Sequence, residues 1–207
     1  MKLFSGHRSI RFVSLQLIAS LCAILLIQPA AIRTQAGTPA ADDGSKITTV
    51  FLVRHAEKES APPQDPALTE AGRARAEELA RILKQSGIKA IYTSQFARTK
   101  LTAEPLAKEL GIEAMVIPLR ADPSNPREVS KQSLAEIVEK IHGREGEASL
   151  VVGHSNTVPE VIKMLGGDMV PVIDEKQYDD LFIVTVYGRG KAGVIHLKYG
   201  IPTEPGK

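Results

Sequence analysis

Two histidines and two arginines in this chain follow apolar, strand-like segments, and residues of those types in those places could move a phosphoryl group. Arg54-His55-Ala56-Glu57 comes directly after residues 48–53, Ser94-Gln95-Phe96-Ala97-Arg98-Thr99 after residues 90–93, and His154-Ser155-Asn156-Thr157 after residues 150–153. An imidazole is a usable nucleophile near neutral pH, because a good fraction of it is uncharged. Planar guanidiniums grip phosphate oxygens through paired hydrogen bonds and offset charge on the transferring group. A second histidine adds a hydrogen bond, and a helix starting after His154 would add backbone N–H groups and a favourable dipole. With two arginines supplying positive charge, the set calls for no metal ion and no cofactor. Each residue alone has a plainer explanation. A histidine after a strand is most often structural, a single arginine is a surface charge, and Ser155 or Thr157 is a helix cap. Their joint placement is what points to chemistry. His142, near a helix end, and His196, inside a strand, lack that placement and read as structural.

The elements that must position these residues alternate along the chain. Residues 48–53 form a short β-branched run, read as a buried strand. Three prolines in 61–66 make a loop, after which Thr69 caps a helix to about Gln85, with Ala76, Leu79, Ala80, Ile82 and Leu83 on its apolar face. Strand 90–93 leads to a helix from Phe96 to Leu110 that Gly111 stops, and 114–118 reads as a third strand. After the loop marked by Pro123 and Pro126 come a helix over 127–141, a strand over 150–153 and a helix over 157–165. A closing hairpin pairs 182–187 with 194–199 across Gly188-Arg189-Gly190. Strands alternating with helices of this length predict an α/β domain: a mainly parallel sheet between two helical layers. In such sheets ligands bind beyond the carboxyl ends of the strands, which is where the three polar clusters fall.

With those residues in place, Val53-Arg54-His55-Ala56-Glu57-Lys58 resembles the signature of the histidine phosphatase superfamily, whose fold is phosphoglycerate-mutase-like. Leu68-Thr69-Glu70-Ala71-Gly72 resembles that family's next helix start. Ser94 through Arg98-Thr99, on to Thr102-Ala103, resembles the segment bearing its second phosphate-binding arginine, and Val151-Val152-Gly153-His154-Ser155 the one bearing its second histidine. The matches run in family order from 48 to 165. The resemblance implies that His55 becomes phosphorylated while Arg54, Arg98 and His154 hold the phosphate of a small phosphorylated substrate. Two departures stand out. Ala56 replaces the family's glycine after the nucleophile, and the acid that protonates the leaving group has no obvious counterpart. Glu57 and Asp122 are the candidates, with Glu113 and Glu128 behind them, and Ser155 stands where acid phosphatases carry an aspartate. The short insert after the third strand resembles the small, phosphohistidine-phosphatase-like members. A phosphomutase, a metal-dependent hydrolase using His55, Glu57 and His154, and a non-catalytic binder of phosphorylated ligands are the competing readings.

The N-terminus has a different character. Lys2, Arg8 and Arg11 precede an apolar run over 12–27, and Pro29 and the small residues Ala30, Ala31 and Ala36 follow it. Basic, apolar, then small is the layout of a secretory signal peptide, and the run is short for a membrane span, which takes about 20 apolar residues. Residues 1–36 are expected to be removed after Ala36, leaving a leader over 37–46 and a domain over 47–203 that is periplasmic or secreted. An uncleaved N-terminal anchor is the alternative. Removing 1–36 takes four basic residues and no acid, so the formal net charge moves from +2 to −2, and the sole cysteine, Cys22, goes as well. The mature protein then has no thiol chemistry. Without tryptophan, and with only 4% aromatic residues, it offers no stacking platform for nucleic acid.

Overall fold

Apolar residues on both faces of its strands force this chain to cover its sheet twice. In the computed structural model, which describes residues 46–203, the four strands β1 (Thr48–Arg54), β2 (Ile88–Thr93), β3 (Met115–Val116) and β4 (Ala148–Gly153) run parallel. The hairpin strands β5 (Asp180–Gly188), antiparallel to β1, and β6 (Lys191–Lys198), antiparallel to β5, extend the same sheet in the order β3-β2-β4-β1-β5-β6. Alternate residues of β1 enter different cores. Phe51 and Val53 pack with Leu79 and Leu83 of α1 (Glu70–Leu83) and Leu106 of α2 (Ala97–Leu110). Val50 and Leu52 pack with Leu134, Ile137 and Ile141 of α3 (Lys131–His142) and Val158, Val161 and Ile162 of α4 (Thr157–Met164). The result is the three-layer α/β arrangement with a C-terminal hairpin that the alternation predicts.

The boundaries depart from the pattern in two places. Only Met115 and Val116 of the expected strand 114–118 pair with β2, since an edge strand has one neighbour and Pro118 has no N–H to offer. Helix α3 starts at Lys131 rather than at 127. The four residues before it close a small antiparallel loop through the Ala121–Val129 bridge, and Ser130 caps the helix instead. The expected signal peptide, 1–36, and leader residues 37–45 lie outside the described residues. Among the described residues no helix is long and apolar enough to cross a membrane.

Candidate active site

Arg54 closes β1, and His55 follows it into a cleft of about 410 Å³ beyond the carboxyl ends of the parallel strands. Arg54, His55, Arg98 and His154 all line this cleft, so the three polar clusters converge as the strand ends predict. The His55 amide donates to the Gly153 carbonyl at 2.9 Å, which ties the end of β1 to the residue before His154. Gly153 is needed there. A Cβ on it would lie 2.8 Å from Thr157 Oγ1 and 3.0 Å from Val158 Cγ2, pushing α4 off the sheet.

His55 is 3% exposed, and its ring Nδ1 lies 2.8 Å from the Ala56 carbonyl oxygen. A carbonyl can only accept, so Nδ1 carries the proton and the lone pair is on Nε2. Burial pushes the His55 pKa down to about 3, and the charges of Arg54, Arg98 and Lys58 push the same way against the Ala56 hydrogen bond. His154 is likewise pushed down to about 3, chiefly by burial and then by His55 and the two arginines. Its Nε2 sits 3.0 Å from Ser94 Oγ, and Ser94 Oγ sits 2.8 Å from Thr99 Oγ1. The two imidazoles face each other edge-on with centroids 5.3 Å apart.

The arginines are held from behind. Arg54 Nη1 donates to the Asp174 and Gln177 carbonyls at 2.8 and 3.2 Å, Nη2 meets Glu175 Oε2 at 3.2 Å, and the guanidinium lies 4.3 Å over the Tyr178 ring. Arg98 lies 4.3 Å over Phe96 and 3.9 Å from Asp65. The Nε atoms of both arginines are buried without a partner among the described residues. An unpaired buried donor is costly, and here both belong to the groups best suited to an incoming anion. Thr102, fully buried, joins two of the clusters: its Oγ1 accepts from the Ala56 amide at 2.9 Å and donates to the Arg98 carbonyl at 2.7 Å.

Ala56 fits where the resemblance expects glycine, its methyl packed with Leu68 and Ala76. The proposed acids fare differently. Glu57 points away from the cleft and is held by Arg75 through three contacts of 2.8 to 3.0 Å. That removes it from the acid role, and from a metal set with His55 and His154. Behind it, α1 approaches so closely that a Cβ on Gly72 would fall 2.1 Å from the Glu57 carbonyl oxygen. Asp122 is bound to Ser124 in an exposed loop and does not line the cleft; Glu113 does not line it either. The carboxylates that do are Glu128 and Glu175. Sequence reasoning missed Glu175 and Tyr178 altogether. The helix N-terminus after His154 contributes less than its dipole suggests, because the Thr157 and Val158 amides return to the His154 carbonyl. His196 pairs with Asp180 at 2.6 Å and stacks on Phe182, a structural role, as read.

A family model described as the histidine phosphatase superfamily (branch 1) matches residues 50–124. No curated protein matches the sequence significantly. Among solved structures, the protein histidine phosphatase SixA complexed with tungstate is 19% identical over 72% of this chain and 96% of its own, with a TM-score of 0.56. A phosphoserine phosphatase variant from Entamoeba histolytica, in complex with phosphoserine, is 18% identical over 73% of this chain and 96% of its own, with a TM-score of 0.54. A mycobacterial hydrolase is 12% identical over 78% of this chain and 94% of its own, with a TM-score of 0.57. At these identities the likeness is one of fold. The sequence match to the histidine phosphatase superfamily over 50–124 contains Arg54, His55 and Arg98.

Proposed function

We propose that this protein hydrolyses phosphate monoesters through a phosphohistidine on His55, without a metal ion. The observation that carries the reading is the hydrogen bond from His55 Nδ1 to the Ala56 carbonyl, which leaves Nε2 unprotonated in a cleft shared with Arg54, Arg98 and His154. Nε2 attacks phosphorus, the P–O ester bond breaks, and the departing oxygen takes a proton from solvent or from a carboxylate lining the cleft. Water then attacks phosphorus and the P–N bond breaks, releasing inorganic phosphate and restoring neutral His55. Arg54 and Arg98 offset the charge spread over the equatorial oxygens, which is most of what phosphoryl transfer asks of a protein. Thr99 donates to the Phe96 carbonyl at 2.9 Å and so accepts from Ser94, which leaves Ser94 to accept from His154 Nε2 and fixes that ring's proton there. The basic, apolar, small order of residues 1–36 supports reading this chemistry as exported.

Quenching the protein with ³²P-labelled substrate should trap acid-labile, base-stable label on His55. His55→Ala should lose label and turnover while keeping its circular dichroism spectrum, and a chelator should leave the wild-type rate unchanged. Full activity in His55→Ala would end the proposal. Tight binding of phosphate esters with no turnover in the wild type would turn the reading to a non-catalytic binder.

A further inference from the structure

The loop between β3 and α3 is organised without the guanidinium groups of its arginines. Beyond the Ala121–Val129 bridge, the Asp122 amide donates to the Glu128 carbonyl at 2.9 Å and the Ser130 amide to the Arg120 carbonyl at 2.8 Å. The acids of the loop are spent inside it: Asp122 accepts from the Ser124 amide and hydroxyl, and Glu128 from the Asn125 side chain at 2.8 Å. Arg120 and Arg127 line the cleft, and Lys58 lines it too, from the segment after β1. None of these three forms a salt bridge among the described residues.

In all, five cations line the cleft against two carboxylates, and one of those, Glu175, is already held by Arg54 and Ser155. Like charges gathered this way repel one another and focus a positive potential into the cleft, an arrangement suited to an anionic ligand. A single phosphoryl group held by Arg54 and Arg98 leaves Lys58, Arg120 and Arg127 without a counter-charge. The cleft, at about 410 Å³, also has room for far more than phosphate, amounting to roughly a dozen water volumes. We propose that Lys58, Arg120 and Arg127 form a second anion subsite, and that the preferred substrates are phosphate monoesters bearing another acidic group, carboxylate or phosphate, on the alcohol portion. The inference rests on the phosphatase reading of His55.

Three esters that differ only in that group test it: propyl phosphate, 3-carboxypropyl phosphate and propane-1,3-diyl bisphosphate. The wild type should favour the charged pair over propyl phosphate by about tenfold in kcat/KM, which is what two or three exposed ion pairs supply, and 0.5 M salt should shrink the margin. The larger margin of the two identifies carboxylate or phosphate as the preferred group. R120A/R127A should lose most of the margin, and R120K/R127K should keep most of it; the lysine pair also serves if the alanine pair misfolds. Equal kcat/KM for all three esters in the wild type, or an undiminished margin in R120A/R127A, overturns the subsite. If no ester is turned over, the phosphatase reading fails, and calorimetric binding of the same three compounds decides the subsite: tighter binding of the charged pair supports it and equal affinities overturn it.

Discussion

His55 and His154 carry the strongest electrostatic signature in the molecule, two buried imidazoles held neutral among arginines. Burial and like charge both disfavour a proton on either ring, so each pKa lies near 3, well below the usual 6.5. Ring-proton NMR should therefore show both side chains still neutral at pH 5, where an ordinary exposed imidazole is almost fully charged. A midpoint between 6 and 7 for either would mean that its ring is solvated in solution. The four site residues were legible because each belongs to a polar cluster that follows an apolar run. Glu175 and Tyr178 were not, because they reach Arg54 from more than 120 residues away and nothing local in 174–178 signals that contact. Glu57 shows the opposite error. Nearness to His55 in sequence made it a candidate acid, yet the strand ends at Arg54, its alternation no longer sets where Glu57 points, and Arg75 holds the carboxylate away from the cleft.

At the scale of elements, Thr102 makes α2 part of the support of His55. Its hydroxyl links the backbone beside His55 to the backbone of Arg98, so these two cleft residues are referenced to one buried atom. Thr102→Val keeps the shape and deletes the acceptor, leaving the buried Ala56 amide unpaired at about 1–3 kcal/mol. Turnover of a nitrophenyl ester should fall by about ten- to a hundredfold, in kcat more than in KM, as expected when positioning is lost. Thr102→Ser should restore most of it. A wild-type rate in Thr102→Val would show that the link does not position the site. The alternation of strands and helices was readable because β-branched runs and apolar helical faces alternate with turn residues throughout. What could not be read were the ends governed by tertiary pairing: β3 is short because it has one neighbour, and α3 starts late because Val129 is claimed by Ala121.

For the whole molecule, the two neutral histidines set a direction for stability against pH. Their folded pKa values lie below the unfolded value of 6.5, so the unfolded chain takes up more protons and stability drops as pH falls below 6.5, levelling off only near 3. Between pH 7 and pH 5 each histidine should remove about 2 kcal/mol, an order-of-magnitude figure. Urea midpoints should fall over that range in the wild type and fall less in His154→Gln; identical slopes would contradict the assignment. The sheet order carries a consequence in time as well. β1 pairs only with β4 and β5, so a growing chain completes this buried strand and then adds roughly ninety residues before the first of those neighbours exists. At ribosomal speed the strand stays open on both edges for on the order of ten seconds, which makes it the segment most in need of a holding chaperone. A fragment ending at Glu147 should accordingly show no cooperative thermal transition by circular dichroism, and a sharp one would mean that β1 finds another partner.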